Sequence, residues 1–278
     1  MINTTPQRIA NTFKTLQDQH RKAIIPFITT GDPKGVAIDE LMRALVTGGA
    51  DMIELGIPFS DPSADGETIQ RASARAIANG ISYHDSFAAI AAFRKSNQHT
   101  PVIVFGYLNP AQTHTDGFHG FATALKAAGG DALILVDLSY ESGAPYRQVL
   151  KDKQINLINL ISPTTATERL GHIVKVASGF IYYVSMRGVT GNTNGKNHLN
   201  HREIQQAVEK IRIETQLPVC VGFGITNGET AKTIAKLADG IVVGSALVKK
   251  LYNAAHNNDN VLTTAKAFMA ELRQALDN

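Results

Sequence analysis

The sequence predicts an α/β fold, a (β/α)8 TIM barrel forming a single domain over residues 1–278, and three observations carry that expectation. Eight short runs rich in β-branched and aromatic residues alternate with longer amphipathic runs along the whole chain. Several short runs are apolar at every position, as parallel strands are when helices cover one face and a packed interior the other. The connections are short, and no low-complexity linker divides the 278 residues. A doubly wound open sheet is the alternative, but a GxGxxG fingerprint followed by an acidic residue at the right distance is absent.

The elements follow in order. QRIANTFKTLQ places Ile9, Phe13 and Leu16 on one face of an extra helix ahead of the first strand. Strand one is AIIPFIT (23–29), followed by the helical pattern VAIDELMRALVTGG, whose glycine pair suits a C-cap. Strand two is DMIEL (51–55). After it, TIQRASARAIANG and SYHDSFAAIAAFRKSN give two helical segments rather than one. PVIVFGY (101–107) is strand three, GFHGFATALKAAGG its helix, and ALILVD (132–137) strand four. INLINLI (155–161) and FIYYVS (180–185) are strands five and six, with TATERLGHIVKVA between them. HREIQQAVEKIRIE leads to strand seven, PVCVGF (218–223), and ETAKTIAKLA to strand eight, GIVVG (240–244). Additional helices are expected after strand eight as well as after strand two.

Composition excludes several functions. A formal charge of +3, with Lys and Arg scattered, 6% aromatic residues and no tryptophan, argues against nucleic acid. The lone cysteine, Cys220, sits in an apolar run, which suits a small buried core residue and leaves no internal disulfide. The start MINTTPQRIANTF lacks a signal peptide's apolar stretch, and no run reaches membrane-span length, so a cytoplasmic protein without a membrane partner is expected. Neither the nine histidines nor any other residues fall at metal-ligand spacing, and no Walker loop or Ser-His-Asp order emerges.

In a barrel of this kind, chemistry belongs to the loops after the strands. Strand seven ends in VGFGITNGET and strand eight in VVGSALVKK. Gly222, Gly224 and Gly244 allow close backbone approach, and Ser245 opens a short helix with unsatisfied N–H groups. Oriented amides and the positive helix end make an anion site suited to phosphate. A single glycine turn would mean only tight backbone; two such turns on consecutive strands favour phosphate. The long loop SMRGVTGNTNGKN (185–197) adds Gly191 as a further amide, and its length suggests a mobile lid.

The stretch ELGIPFSDPSADG carries three carboxylates. A period of two puts Met52 and Glu54 on one face of strand two, Ile53 and Leu55 on the other. If the aliphatic pair meets the helices, Glu54 points into the barrel mouth; the alternative is a glutamate salt-bridged to an inward Lys or Arg, but the other strands offer no matching inward cation. Desolvation there raises a carboxyl pKa and suits it to proton transfer near neutrality. Asp61, before a proline, reads as turn chemistry. Asp65 fits either a turn or a group folded over the mouth. Tyr182 on strand six offers a hydroxyl or simple packing.

These segments, together with PFITTGDP, GYLNP, SPTTATERL, GFIYYVSMRGVTG and DGIVVGSALV, closely resemble the tryptophan synthase alpha subunit family, in order, from about residue 8 to the carboxyl terminus. The resemblance implies retro-aldol cleavage of indole-3-glycerol phosphate to indole and glyceraldehyde 3-phosphate, without a cofactor. It implies Glu54 as general acid–base, Asp65 as partner of the indole N–H, and Phe27 and Tyr182 as walls of the site. Gly191, Gly224, Gly244 and Ser245 match its phosphate-binding positions, and Thr190 is a plausible latch for Asp65 when the loops close. It further implies a pyridoxal-phosphate-dependent beta subunit as partner, in an α2β2 assembly. The chain departs from the family at Ser63 and Glu67, and after strand four, where Ser139 and an expectedly exposed Tyr140 replace a proline-containing turn. Those departures leave open a stand-alone, indole-releasing lyase; a non-catalytic phosphometabolite-binding subunit is the third reading.

Overall fold

The computed structural model describes residues 7–184, 201–222 and 224–278. Its strands are β1 (Ala23–Thr29), β2 (Ile53–Gly56), β3 (Val102–Gly106), β4 (Ala132–Leu135), β5 (Asn156–Leu157), β6 (Asn159–Ile161), β7 (Ile181–Val184), β8 (Val219–Gly222) and β9 (Gly240–Val243). All pair in parallel, in the order β5-β4-β3-β2-β1-β9-β8-β7-β6. The two ends of that order, β5 and β6, are consecutive pieces of the predicted fifth strand, separated by Ile158. The lower piece pairs with β4 and the upper with β7, so the chain itself carries the sheet around to close the barrel.

Alternation along the strands sorts side chains as the sequence implies. Ile24, Ile53, Leu55, Val104 and Val221 join the outer core under the helices. Ile25, Met52, Ile103, Ile134, Phe180 and Val242 fill the interior. The extra helix α1 (Arg8–Asp18) buries Ile9, Phe13 and Leu16 in that same interior cluster, with Phe13 edge-on to Phe180 at 5.8 Å. It therefore plugs the amino-terminal end of the barrel and leaves the other end free for a site.

Two helices follow β2, α3 (Glu67–Ala78) and α4 (Tyr83–Arg94), and two follow β9, α11 (Ser245–His256) and α12 (Val261–Asp277). Local signals set their ends. At α4 the Ser82 N–H donates to Asp85 at 2.8 Å in a capping box. The predicted glycine stop of α6 (Gly117–Ala128) is Gly129 at φ +93°. The outer ring is completed by α2 (Ile38–Thr47), α5 (Leu108–Gln112), α7 (Ala144–Asp152), α8 (Thr167–Val176), α9 (His201–Glu214) and α10 (Gly228–Ala235). Of these, α5 and α7 are not among the helical patterns read from the sequence; both are short, and α7 fully buries only Leu150. Among the described residues, no helix is long and apolar enough to cross a membrane.

Candidate active site

A cavity of about 720 Å³ opens at the carboxyl ends of the strands. It brings together Phe27, Glu54, Asp65, Tyr182, Gly224, Gly244 and Ser245 from β1, β2, β7, β8, β9 and their loops. Thr190 and Gly191, with the rest of the proposed lid, lie outside the described residues.

Glu54 faces inward from β2, in register with Phe27 of β1 and Ile103 of β3. It is 1% exposed, its Oε2 has no hydrogen-bond partner, and no ion pair among the described residues engages it. Burial, and secondarily the nearby Asp65 charge, push its carboxyl up to about 8. A carboxyl in that state holds a proton near neutrality and gives it up without a large penalty.

Asp65 comes from the loop after β2, and several bonds fold it over the mouth. Its N–H donates to the Pro62 carbonyl at 3.0 Å, and Gln70 Nε2 donates to its carbonyl at 2.8 Å. Tyr107, just past β3, accepts the Ala64 N–H at 3.0 Å, which ties the loop down beside Asp65. Burial raises Asp65 to about 6, and the nearby Tyr107 hydroxyl acts against that rise. The same carboxylate pushes the Tyr107 hydroxyl upward, after burial, so Tyr107 stays a neutral donor. The open alternatives for Asp65 resolve toward the mouth, whereas Asp61 is exposed and its carbonyl accepts the Ser63 N–H at 2.9 Å, as turn chemistry.

Tyr182 is the inward tyrosine of β7, and Tyr183 joins the outer core. Burial first, then Glu54, drives its hydroxyl well above the ordinary tyrosine range, so it stays protonated. Gly222 of β8 makes room for it: a Cβ there would run into the Tyr182 hydroxyl. Phe27 packs edge-on to Phe105 at 5.4 Å, giving the cavity an aromatic wall.

At the other end, Gly224 holds φ +72°, a left-handed conformation that strongly favours glycine. Gly244 is the N-cap of α11 and no side chain caps that helix, so its first amides have no intrahelical acceptor. Local pattern alone did not find Tyr107, whose signal was an aromatic hydroxyl directly after a strand, nor Phe105.

The rim after β4 corrects one expectation. Tyr140 is half-buried rather than exposed: it stacks on His172 at 5.8 Å, and the Arg147 guanidinium sits 5.3 Å from its ring. Ser139 Oγ accepts the Ser142 N–H at 3.2 Å, and Ser139 and Tyr140 line the cavity's edge. Ser63 and Asn109 are exposed. Among the described residues, no cluster of three or more His, Cys, Asp or Glu is placed to hold a metal.

Comparison with known proteins gives a consistent result. The family model described as tryptophan synthase alpha chain matches residues 13–277. The chain is 44% identical over 270 residues to the tryptophan synthase alpha chain of Burkholderia ambifaria, covering 97% of each. It is also 44% identical to that of Cupriavidus metallidurans, covering 97% of this chain and 99% of the relative. Among solved structures, tryptophan synthase subunit alpha from Legionella pneumophila superposes with a TM-score of 0.89 at 39% identity, covering 98% of both chains. A chain of tryptophan synthase from M. tuberculosis, in its aminoacrylate-bound form, gives 0.84 at 31% identity, covering 97% of this chain and 99% of that one.

Proposed function

The chain belongs to the tryptophan synthase alpha chain family, and is a lyase of tryptophan biosynthesis acting on indole-3-glycerol phosphate; from that premise we propose how its own residues divide the reaction. The observation that carries the proposal is Glu54, a buried carboxyl with an unpartnered oxygen, facing a cavity and free of ion pairs among the described residues.

In this reading the substrate phosphate lies against the amides of Gly224, Gly244 and Ser245, with Gly191 closing the cradle from the lid. The indole ring packs among Phe27, Phe105 and Tyr182. Protonated Glu54 gives its proton to the indole carbon that carries the glycerol chain, leaving that ring cationic. Ionised Asp65, aimed by Tyr107, accepts a hydrogen bond from the indole N–H and stabilises the positive charge. Glu54, now a carboxylate, takes the proton of the adjacent glycerol hydroxyl. The carbon–carbon bond then breaks, its electrons restore the aromatic ring, and the hydroxyl carbon becomes the aldehyde of glyceraldehyde 3-phosphate. Glu54 ends as it began, protonated, so the cycle needs no cofactor. Thr190 would complete closure by bonding Asp65, excluding water from the charged intermediate.

Family membership brings a beta subunit as partner. We place it on the rim that carries Ser63, Asn109, Ser139 and Tyr140, in an α2β2 assembly. The test is indole release from indole-3-glycerol phosphate by the pure protein, with and without its cognate beta subunit. Release that rises on adding the partner supports the full reading. Strong release indifferent to it favours a stand-alone lyase, and none under either condition leaves only a binding role.

A further inference from the structure

The cavity's lining extends past the residues assigned above, and the extension has a direction. β4 pairs with the fifth strand only through Ala132↔Asn156 and Leu133↔Leu157, with the Ile158 N–H donating to the Leu133 carbonyl at 3.0 Å. From Asn159 onward the fifth strand pairs with β7 instead. Above Leu133, therefore, β4 has no hydrogen-bonded neighbour on that side, and a seam opens in the barrel wall. Through it the cavity reaches Leu135, Ile161 and Ile173, side chains that belong to the outer, helix-covered core. An intact strand pair would have walled them off.

Asn159 stands in this seam and lines the cavity. Its Oδ1 is fully buried without a hydrogen-bond partner, one of three such side-chain atoms among the described residues, and Glu54 Oε2 is another. A buried amide lacking a partner loses the hydrogen bonds it had in water, and a fixed water or a ligand group normally restores them. The asparagine amide can donate through Nδ2 and, after a half-turn of its plane, accept through Oδ1. A hydroxyl complements both.

The barrel's geometry says what reaches the seam. The phosphate cradle follows β8 and β9, and the strands across the barrel from them are β3 and β4, next to the seam. A ligand held by its phosphate at one end directs its far end toward that wall. For an indole whose N–H is engaged by Asp65, the far end is the edge of the six-membered ring.

We infer that the seam is a pocket for substituents on the benzo ring of the indole nucleus, and that Asn159 makes it selective for a hydroxyl group there. This extends the substrate range to hydroxyindoles and rests on the lyase reading given above. The lobe's aliphatic walls alone would favour a methyl group over a hydroxyl, so a preference for the hydroxyl isolates the amide's contribution.

The reverse condensation, with glyceraldehyde 3-phosphate and either indole or a ring-substituted indole, provides the test. Hydroxy- and methylindoles are compared in matched pairs at each benzo position, following loss of the free indole. For at least one position, kcat/KM for the hydroxyl compound should exceed its methyl counterpart about five- to tenfold, the worth of one neutral hydrogen bond. Asn159→Leu should reverse that ratio, and Asn159→Ser, which keeps a small polar group, should retain part of it. No hydroxyl preference at any position, or one that survives in both variants, overturns the inference. Indole itself separates the two levels: failure to condense indole contradicts the lyase reading, whereas normal condensation with a flat hydroxyl-to-methyl ratio overturns only the role of Asn159.

Discussion

Glu54 is a carboxyl that the fold keeps at a cost, and that cost can be measured. Folded, it holds its proton up to about 8; unfolded, it releases it near 4.5. Between those values the native state carries the extra proton, so its contribution to stability falls as pH rises, and the loss is complete above about 8. Glu54→Gln has no proton to lose. Its melting temperature should therefore climb relative to the parent from pH about 5 to about 8 and then level off; a gap independent of pH would contradict the assigned burial. The same two carboxyls should shape catalysis. Asp65 must be ionised and Glu54 protonated on entry, so kcat/KM should rise through about 6 and fall through about 8. Asp65→Asn should remove the acidic limb along with most of the activity, and a profile with that limb intact in the variant would assign it elsewhere. Strand periodicity alone was enough to point Glu54 inward. It left Asp65 undecided, because the loop that carries it is held over the mouth in part by Tyr107, just past the next strand, a contact invisible to local pattern.

At the scale of elements, the two ends of the barrel do different work. Helix α1 closes the lower end, and Phe13 is its deepest aromatic contact. Phe13→Ala should cost about 3–5 kcal/mol in chemical denaturation, the range for a buried aromatic truncated to a cavity. A loss under about 1 kcal/mol would show α1 to be loosely held. At the upper end, Gly224 and the start of α11 shape the proposed anion site. Gly224→Ala puts a methyl on a left-handed residue, which costs about 1–2 kcal/mol, and it should weaken the protection that added inorganic phosphate gives against thermal unfolding. Equal phosphate protection in parent and variant would remove Gly224 from the cradle. The apolar spacing of Ile9, Phe13 and Leu16 made α1 legible, and the glycine pairs made the helix ends legible. The break in the fifth strand was not, since INLINLI reads as one continuous run and only the choice of neighbours, β4 below and β7 above, divides it. Helix α7 was hidden for a different reason: at nine residues its apolar face is short, Tyr146, Val149 and Leu150, and only Leu150 is fully buried.

For the whole molecule, eight alternations of strand and helix were enough to read the barrel, because each strand's outward and inward faces obey the same period of two. The rim proposed to face the partner is harder, since loops lack a period and the contacts of Tyr140 with His172 and Arg147 come from separate elements. That packing pre-orders the rim, so docking need not fix a free side chain. The cognate beta subunit should raise indole formation in a titration, while a beta subunit from a distant relative binds more weakly, because Ser139 and Tyr140 depart from the usual turn. Equal affinity for both partners would show those residues to be neutral in docking. The central claim is that one buried carboxyl moves both protons of the cleavage, and it is tested most directly by indole formation from indole-3-glycerol phosphate in the parent, Glu54→Gln and Asp61→Asn, measured side by side. Glu54→Gln should fall by about 10²–10⁴-fold while keeping its phosphate-dependent thermal protection, and Asp61→Asn should fall far less. Activity of Glu54→Gln within a few-fold of the parent, or a greater loss in Asp61→Asn, would contradict it.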